Sequence, residues 1–374
     1  MQFRAAILEA PGQSLVIDTV ETGPLRPQDV LVRMGATGIC HTDLEVIAGQ
    51  LVYPMPIVLG HEAAGTIVDV GDGTSRSRIG ERVVLSSWNP HCGHCFYCDA
   101  GQPILCETYT RLGPKAVQFD GCTRLHRKGA PVHTMFYISA FAEYCIVSAQ
   151  CAIPVPSEMP LDRACLLGCG VLTGVGAAMR IANLGCGETA MIIGCGAVGL
   201  AAIQGARLAG ASRIIAVDLD DAKLAIASAL GASHTVNASE ADPVAAVKGI
   251  TCGRGADCVL ESAGNERAFR LSAEACRAGG RIVWLGKVGI DQDVAFRWGS
   301  LMGEKRIIRS SYGGAQTAQD FPFLARLYLK RKLKLDELIT RRIVLEQINE
   351  GFEDLRMGRA TRTVIVFDDL GDAP

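Results

Sequence analysis

The first part of the chain has the hydrophobic pattern of a β domain. From Phe3 to about Cys151, short apolar segments such as FRAAIL, LVIDTV, DVLVRM, AGTIVDV, ERVVLS and EYCIV are separated by Gly and Pro turns. Short strands at this spacing are typical of antiparallel sheets that close partly into a barrel. We therefore expect an antiparallel, partly barrel-like β domain.

Beyond about Val171 the pattern alternates between apolar strands and helices as far as Ser311. Repeated strand–helix–strand units predict a parallel sheet with helices on both faces, which is a doubly wound α/β domain. The predicted strands are 191–194, 213–218, 234–237, 257–262, 281–286 and 306–311, and the predicted helices are 197–209, 220–230, 242–249 and 266–277.

The tail predicts a helix from Phe321 to Lys332, a short helix near 345–357 and a strand from Thr363 to Phe367. This strand has no evident partner in the α/β region, so we expect it to complete the first domain. The predicted domains are 1–170 together with 312–374, and 171–311.

Composition and charge narrow the possible partners. The chain has 374 residues, 49% of them hydrophobic, and a net charge of −2. This length predicts two domains, and the near-neutral charge indicates no nucleic acid or anionic membrane as partner. The longest mostly apolar run, 190–203, is too short to cross a bilayer. We expect a soluble, cytoplasmic protein.

A glycine-rich motif follows the first α/β strand. Gly194, Gly196 and Gly199 form a GxGxxG sequence that opens a helix, and Asp218 ends the next strand. Such glycines allow the backbone to approach a pyrophosphate at a helix N-terminus, and the acid binds the adenosine ribose hydroxyls. A glycine turn beside a solvated Asp218 is the alternative. The context favours a dinucleotide site and, because Asp218 repels a 2′-phosphate, NAD over NADP.

Four of the fifteen cysteines are clustered. Cys92, Cys95, Cys98 and Cys106 have the spacing of a closed tetrahedral zinc site, which is structural. An iron–sulfur cluster or four inert buried thiols are the alternatives. Three further residues, Cys40, His61 and Cys169, each lie within two positions of a glycine. Each is weak evidence alone, but two Cys and one His with an open position form a catalytic zinc set.

Together, these segments resemble the zinc-dependent alcohol dehydrogenases of the medium-chain dehydrogenase/reductase superfamily. The motifs that carry the resemblance are GICHTD, GHEAAG, CGHCFYC, LLGCGVLTG, GCGAVGL and INEGF, and the segment 119–141 is similar to the long forms of the family. The resemblance implies a GroES-like catalytic domain with an inserted Rossmann domain. It also implies NAD, one catalytic and one structural zinc ion per chain, an alcohol or aldehyde substrate, and a homodimer or homotetramer.

The resemblance also implies roles for individual residues. Cys40, His61 and Cys169 match catalytic zinc ligands, and the four clustered cysteines match structural ones. Glu62 matches a carboxylate that assists ligand exchange, although an ordinary buried acid paired with Arg is the alternative. The other matches are Asp43, which orients the zinc-bound imidazole; His41 and Arg362 at the pyrophosphate; Thr173 and Val198 at the nicotinamide; Lys223 near the ribose, unless it is simply an exposed lysine; and Thr42, which takes the substrate's proton.

One position departs from the family pattern. Many members have a histidine at the end of the proton relay, where this chain has Glu45. Either Glu45 ends the relay, or it is a surface acid and water completes the transfer. Leu51, Trp88, Met135 and Phe136 match substrate-pocket positions, although Trp88 alternatively fills the core. A bulky Trp88 and the methyl of Thr42 favour primary alcohols, with aromatic or allylic ones suited to the outer pocket.

Two other functions compete with NAD-dependent oxidation of a primary alcohol. A thiol-adduct dehydrogenase would oxidise hydroxymethyl conjugates of a small thiol, but those conjugates are charged, and the segment 51–53 is apolar. A non-catalytic zinc or nucleotide sensor would lack some of the expected ligands, yet Cys40, His61, Cys169 and Thr42 are all present.

Overall fold

The computed structural model describes residues 1–367, which belong to two compact units. Unit 1 comprises Met1–Cys169 and the chain from Gln316 onward, and unit 2 comprises Gly170–Ala315. The second boundary falls after Ala315 and not after Ser311, because the turn Tyr312–Gly314 packs on the first helix of unit 2. A Cβ added at Gly313 would lie 2.6 Å from the carbonyl oxygen of Thr173. The expected first domain extended to 374, and residues 368–374 lie outside the described part.

The described residues of unit 1 are rich in short strands. Numbered along the whole chain, they are β1 (Gln2–Leu8), β2 (Val16–Glu21), β3 (Asp29–Gly38), β4 (Ile57–Val58), β5 (Glu62–Val70), β6 (Arg82–Leu85), β7 (Leu125–Arg127), β8 (Ala130–Thr134), β9 (Tyr144–Ser148), β10 (Ala152–Pro154), β17 (Arg341–Ile343) and β18 (Thr363–Val366). Several of these were not predicted, because two to five residues are too few to show an alternating pattern.

These strands form a closed barrel and a second sheet. The barrel order is β1-β2-β7-β8-β4, and the sheet order is β10-β6-β5-β3-β18-β17, with β9 also paired to β3. Most pairs are antiparallel, but β4–β8 and β17–β18 are parallel. Ile365 of β18 lies opposite Thr37 of β3, so the tail strand does complete the first unit. One apolar core contains residues of both sheets.

Unit 1 also contains short helices. They are α1 (His41–Ile47), α2 (Phe96–Asp99), α3 (Glu107–Leu112), α4 (Leu161–Ala164), α10 (Thr317–Leu329) and α11 (Ile348–Arg356). Helix α10 begins earlier than the predicted Phe321, because the buried Asp320 carboxylate accepts the Gln316 N–H at 2.7 Å and caps the helix. It ends before the predicted Lys332, because Arg331 adopts the left-handed conformation.

Unit 2 is the doubly wound parallel sheet that was predicted. Its strands are β11 (Thr189–Ile193), β12 (Arg213–Asp218), β13 (His234–Asn237), β14 (Ala256–Glu261), β15 (Cys276–Trp284) and β16 (Arg306–Arg309), and its helices are α5 (Gly170–Gly176), α6 (Ala197–Leu208), α7 (Asp221–Leu230), α8 (Pro243–Ile250) and α9 (Glu266–Ala275). The order is β13-β12-β11-β14-β15-β16. The chain therefore leaves β11 toward β12 on one side and later returns to β14 on the other.

The helices of residues 1–367 are short or polar compared with a membrane span. No single helix there is long and apolar enough to cross a membrane. One bent pair, Leu161–Gly168 with Gly170–Ile181, reaches that length and composition only when both helices are counted together.

The tail strand β18 should be essential for the stability of unit 1. Ile365 is 0% exposed in the core, so Ile365→Ala should lower the free energy of unfolding by about 2–4 kcal/mol. Val52 is 78% exposed, so Val52→Ala should change it by less than about 0.5 kcal/mol. The measurement is the urea midpoint by circular dichroism. Equal midpoints for the two variants would contradict this role of β18.

Candidate metal centres and cofactor-binding loop

Four side chains from separate parts of unit 1 converge on one buried cluster. The ligand atoms of Cys40, His61, Glu62 and Cys169 all lie within 4.8 Å of one another. Cys40 is the residue before α1, His61 and Glu62 stand at the start of β5, and Cys169 follows the turn Cys165–Gly168. Thus the predicted Cys, His and Cys meet, and Glu62 joins them.

The carboxylate of Asp43 connects two of these segments. Asp43 is fully buried in the first turn of α1. Its Oδ1 accepts the Gly60 N–H at 3.0 Å and lies 3.2 Å from His61 Nδ1, and its Oδ2 accepts the Cys40 N–H at 3.1 Å. A carboxylate on one ring nitrogen of His fixes the ring and directs the other nitrogen toward a metal.

Glu62 lies beside Arg362 at the inner side of the cluster. Arg362 Nη2 is 2.9 Å from Glu62 Oε1, and Nη1 donates to the Ile39 carbonyl at 3.0 Å. The contact with Glu62 has the distance of an ion pair without hydrogen-bond geometry, and both buried Glu62 oxygens accept no hydrogen bond. Burial raises the pKa of Glu62 to about 8. These contacts place the buried guanidinium of Arg362 beside Glu62, and its expected contact with the cofactor pyrophosphate stays a prediction.

The electrostatics of the cluster favour a cation. A hydrogen bond with Cys169, and also the charge of His61, hold the pKa of Cys40 well below its ordinary value despite burial. Burial lowers the pKa of His61, but the negative charges and hydrogen bonds of Asp43 and Cys40 have the larger combined effect. They raise that pKa well above its ordinary value. Sulfur and imidazole donors, together with buried carboxylate oxygens that lack hydrogen bonds, fit Zn²⁺.

The four clustered cysteines form a second centre. Their sulfur atoms lie within 4.8 Å of one another, and Cys92 Sγ is 3.9 Å from Cys98 Sγ. Four thiolates around a tetrahedral Zn²⁺ would be separated by about 3.8 Å, given Zn–S bonds of about 2.3 Å. A backbone N–H of His94, with weaker contributions from neighbouring thiols, lowers the pKa of Cys92 to about 6, and burial raises that of Cys98 to about 12. These residues fit a closed structural zinc site.

The predicted pocket residues Phe136, Leu51 and Met135 differ in burial. Phe136 is half-buried, and its ring centroid lies 5.5 Å from that of His61 in an edge-on arrangement. Leu51 is also half-buried. Met135 is fully buried in the core, and its place in a substrate pocket stays a prediction. Phe136 adopts a left-handed conformation, at φ 48°.

Trp88 packs with the four-cysteine segment. Its ring stacks on Tyr109 at a centroid distance of 5.4 Å and contacts the small core around Cys106. Tyr53 was not predicted as a site residue. Its buried ring lies edge-on to Phe136 at 6.3 Å, and burial raises the pKa of its hydroxyl, which stays neutral. No motif marks Tyr53, and only its place just before the GHE segment hints at a role.

Three expected relay and cofactor residues lie on α1. His41 is the first residue of this helix and is exposed, and Thr42 and Glu45 are half-buried. Residues three apart on a helix are neighbours on one face. The Thr42 and Glu45 side chains therefore share the same side of α1.

The glycine-rich loop of unit 2 follows β11. Gly194 has φ +90°, and a Cβ added at Gly199 would lie 1.8 Å from the Gly194 carbonyl oxygen, so both positions require glycine. Asp218 Oδ2 accepts the Cys195 N–H at 2.6 Å, and Oδ1 accepts the N–H groups of Leu219 and Asp220. Asp218 therefore lies at the edge of the loop and also holds it through hydrogen bonds.

The remaining predicted cofactor residues also belong to unit 2. Gly196 is the residue before α6, and Val198 lies in its first turn. Thr173 lies on α5, next to Gly174, where an added Cβ would be 2.3 Å from the Val198 carbonyl oxygen. Lys223 is half-buried in the first turn of α7. The structure thus places α5 and α6 in close contact near the loop.

The chain matches two protein families, an alcohol dehydrogenase GroES-like domain over residues 26–157 and a zinc-binding dehydrogenase over residues 197–330. An alcohol dehydrogenase zinc-binding domain protein from Burkholderia ambifaria is 35% identical with a TM-score of 0.93, covering 98% of this chain and 99% of the other. Benzyl alcohol dehydrogenase from Acinetobacter calcoaceticus is 31% identical with a TM-score of 0.92 and the same coverage. A zinc-binding dehydrogenase from Sinorhizobium meliloti 1021, bound to NADP, is 27% identical with a TM-score of 0.82, covering 98% and 100%.

The two centres should hold one zinc ion each, with separable roles. Cys98→Ser should lose one zinc ion per chain and much of the thermal stability, because structural zinc contributes folding free energy. Cys40→Ser should lose the other ion with the fold retained. Elemental analysis and thermal melts measure both effects.

Cys122→Ser is the matched control, because Cys122 is exposed and belongs to neither cluster. It should retain both ions and the wild-type melting temperature. One ion per wild-type chain, or iron in place of zinc, would refute the assignment.

Proposed function

The chain belongs to the zinc-dependent alcohol dehydrogenases of the medium-chain superfamily, and we propose that it oxidises primary alcohols, aromatic ones above all, to aldehydes with NAD. The observation that carries the proposal is the buried Cys40, His61 and Cys169 cluster with the Phe136 ring against His61. The reaction is reversible, so the same site would also reduce aldehydes.

Two bound groups would supply the central chemistry: Zn²⁺ at the cluster polarises an oxygen ligand as a Lewis acid, and the nicotinamide accepts the hydride. The residues of the chain prepare and complete this step. Asp43 fixes the His61 ring, and Arg362 offsets the charge of Glu62. Thr42 accepts the alcohol proton, and Glu45, on the same face of α1, passes it to solvent.

An aromatic wall supports the choice of substrate. Phe136 and Tyr53 meet edge to face, and Phe136 also meets the His61 ring. Aromatic rings prefer such offset or edge-on contacts, which contribute about 0.5–1.5 kcal/mol beyond the buried area. A flat benzyl group beside this wall would gain such contacts, whereas ethanol is too small to do so. The benzyl alcohol dehydrogenase at 31% identity supports the same class of substrate.

The choice of NAD rests on the charge of Asp218. This half-buried carboxylate stands at the end of β12, beside the glycine-rich loop. A ribose 2′-phosphate placed there would face a like charge at close range, which is unfavourable by several kcal/mol. Because one relative at 27% identity is bound to NADP, the preference needs a direct measurement.

Substrate selection should depend on Phe136. Wild type should oxidise benzyl alcohol with a higher kcat/KM than ethanol or 1-phenylethanol, measured by NADH formation. Phe136→Ala should lower the benzyl-to-ethanol ratio about tenfold, because one aromatic contact of about 1.4 kcal/mol is lost.

Phe323→Ala is the control, since Phe323 is a partly exposed aromatic residue on α10. It should leave the ratio unchanged. A wild type that prefers secondary alcohols would overturn the proposed substrate class, and activity confined to hydroxymethyl thiol adducts would establish the thiol-adduct dehydrogenase instead.

Cofactor preference should depend on the charge at position 218. Asp218→Asn keeps an oxygen for the Cys195 N–H but removes the charge, so the preference for NADH over NADPH should fall about tenfold or more. Dissociation constants from nucleotide fluorescence measure the ratio. Asp242→Asn removes a charge from the N-cap of α8 in the same unit and should leave the ratio of the two dissociation constants unchanged. Equal affinity of wild type for both nucleotides would contradict the proposal.

A further inference from the structure

One buried carboxylate of unit 2 has no role in the scheme above. Glu261 is the last residue of β14 and is 0% exposed. Its Oε1 accepts the N–H groups of Ala263 and Gly264, at 2.8 and 2.7 Å, while its equally buried Oε2 accepts no hydrogen bond. A buried carboxylate with one oxygen unpaired is unfavourable for stability, which suggests that it serves another purpose.

The position of Glu261 in the sheet indicates that purpose. Glu261 lies opposite Ile193 of β11, at the carboxyl edge where the strand order reverses between β11 and β14. In open α/β sheets, ligands bind outside the carboxyl ends of strands at this switch point. The glycine-rich loop leaves β11 at the same edge.

Three loops meet around this side chain. The Ser262 Oγ donates to the Gly194 carbonyl at 3.0 Å, which connects the loop after β14 to the glycine-rich loop. The Glu261 carbonyl accepts the N–H groups of Leu285 and Gly286, which begin the loop after β15. A Cβ added at Gly286 would lie 2.5 Å from Glu261 Oε2 and 2.4 Å from the Gly264 nitrogen, so the loops are in close contact.

We propose that Glu261 is a positioning residue for the dinucleotide: its carboxylate holds the turn after β14, its main-chain carbonyl holds the start of the loop after β15, and the adjacent Ser262 joins them to the glycine-rich loop. Hydrogen bonds from backbone N–H groups to an ionised acceptor are roughly twice as strong as neutral ones, so a carboxylate holds the Ala263–Gly264 turn more firmly than an amide would. This inference rests on the proposed cofactor function, because it assigns the loops to nucleotide binding.

The first test replaces the charge. Glu261→Gln keeps the size and an acceptor oxygen for Ala263 and Gly264 but removes the charge that strengthens both hydrogen bonds, so the dissociation constants of NADH and NADPH should both rise about tenfold. KM for NAD should rise in step, while KM for benzyl alcohol stays unchanged. Glu188→Gln is the matched control, because Glu188 also accepts a backbone N–H and pairs with Arg281, but at the amino end of β11. It should leave nucleotide affinity within twofold of wild type, even if the melting temperature falls.

A second variant disturbs the loops around Glu261 without removing its carboxylate. The Cβ of Gly286→Ala would collide with both Glu261 Oε2 and the Gly264 backbone, so it would push apart the loops after β14 and β15 and should weaken NADH binding to a similar extent. Gly249→Ala, with nothing within 4 Å of the added Cβ, should bind normally. Wild-type affinity in folded Glu261→Gln would overturn the proposal, and if that variant does not fold, wild-type affinity in Gly286→Ala would do so. A wild type that binds neither nucleotide would instead refute the cofactor function.

Discussion

The buried carboxylate of Asp43 is the interaction on which the site of unit 1 depends. Burying a carboxylate is highly unfavourable unless its oxygens are hydrogen-bonded. Asp43 meets this requirement with the N–H groups of Cys40 and Gly60 and with the His61 ring. These partners come from two segments, so α1 and the start of β5 must lie side by side for the charge to be stabilised. The ligand sulfur of Cys40 and the imidazole of His61 are thereby brought together.

The balance of charge around that interaction explains the rest of the cluster. Asp43 and Glu62 are both fully buried, and Arg362 is the cation within reach of Glu62. A buried ion pair alone seldom contributes net stability, because removing two charges from water offsets their attraction. The pKa of Cys40 lies well below its ordinary value, so this thiol adds a further negative charge, whereas a hydrogen bond with Cys40 and burial raise the pKa of Cys169 well above its ordinary value. A divalent cation among them would restore the balance of charge, while the hydrogen bonds of Asp43 hold the two segments together.

Features that depend on periodicity or motif spacing were predictable from the sequence. The parallel sheet, the glycine-rich turn and the four clustered cysteines each have a pattern that extends over several residues, whereas Cys40, His61 and Cys169 lie far apart and were identified through the resemblance to a known family. The left-handed conformation of Phe136 was not predictable, because a phenylalanine rarely adopts it and the sequence does not mark it. The early start of α10 was missed as well, since it depends on a buried cap by Asp320. Tyr53 and Glu261 are single residues whose importance comes only from their neighbours in space.

Asp43 and Glu261 solve the same physical problem in different units. Both are fully buried, both stand at the end of a regular element, and both accept backbone N–H groups from a loop that carries functional residues. A loop held by apolar packing alone has many arrangements of similar energy, because dispersion forces are not directional. A desolvated carboxylate admits few arrangements, because any loop position that leaves its oxygens unpaired is several kcal/mol less favourable. Placing Asp43 and Glu261 at these two points therefore exchanges some stability for a fixed loop geometry. Such fixed geometry is what a reaction between bound groups requires of the loops that hold them.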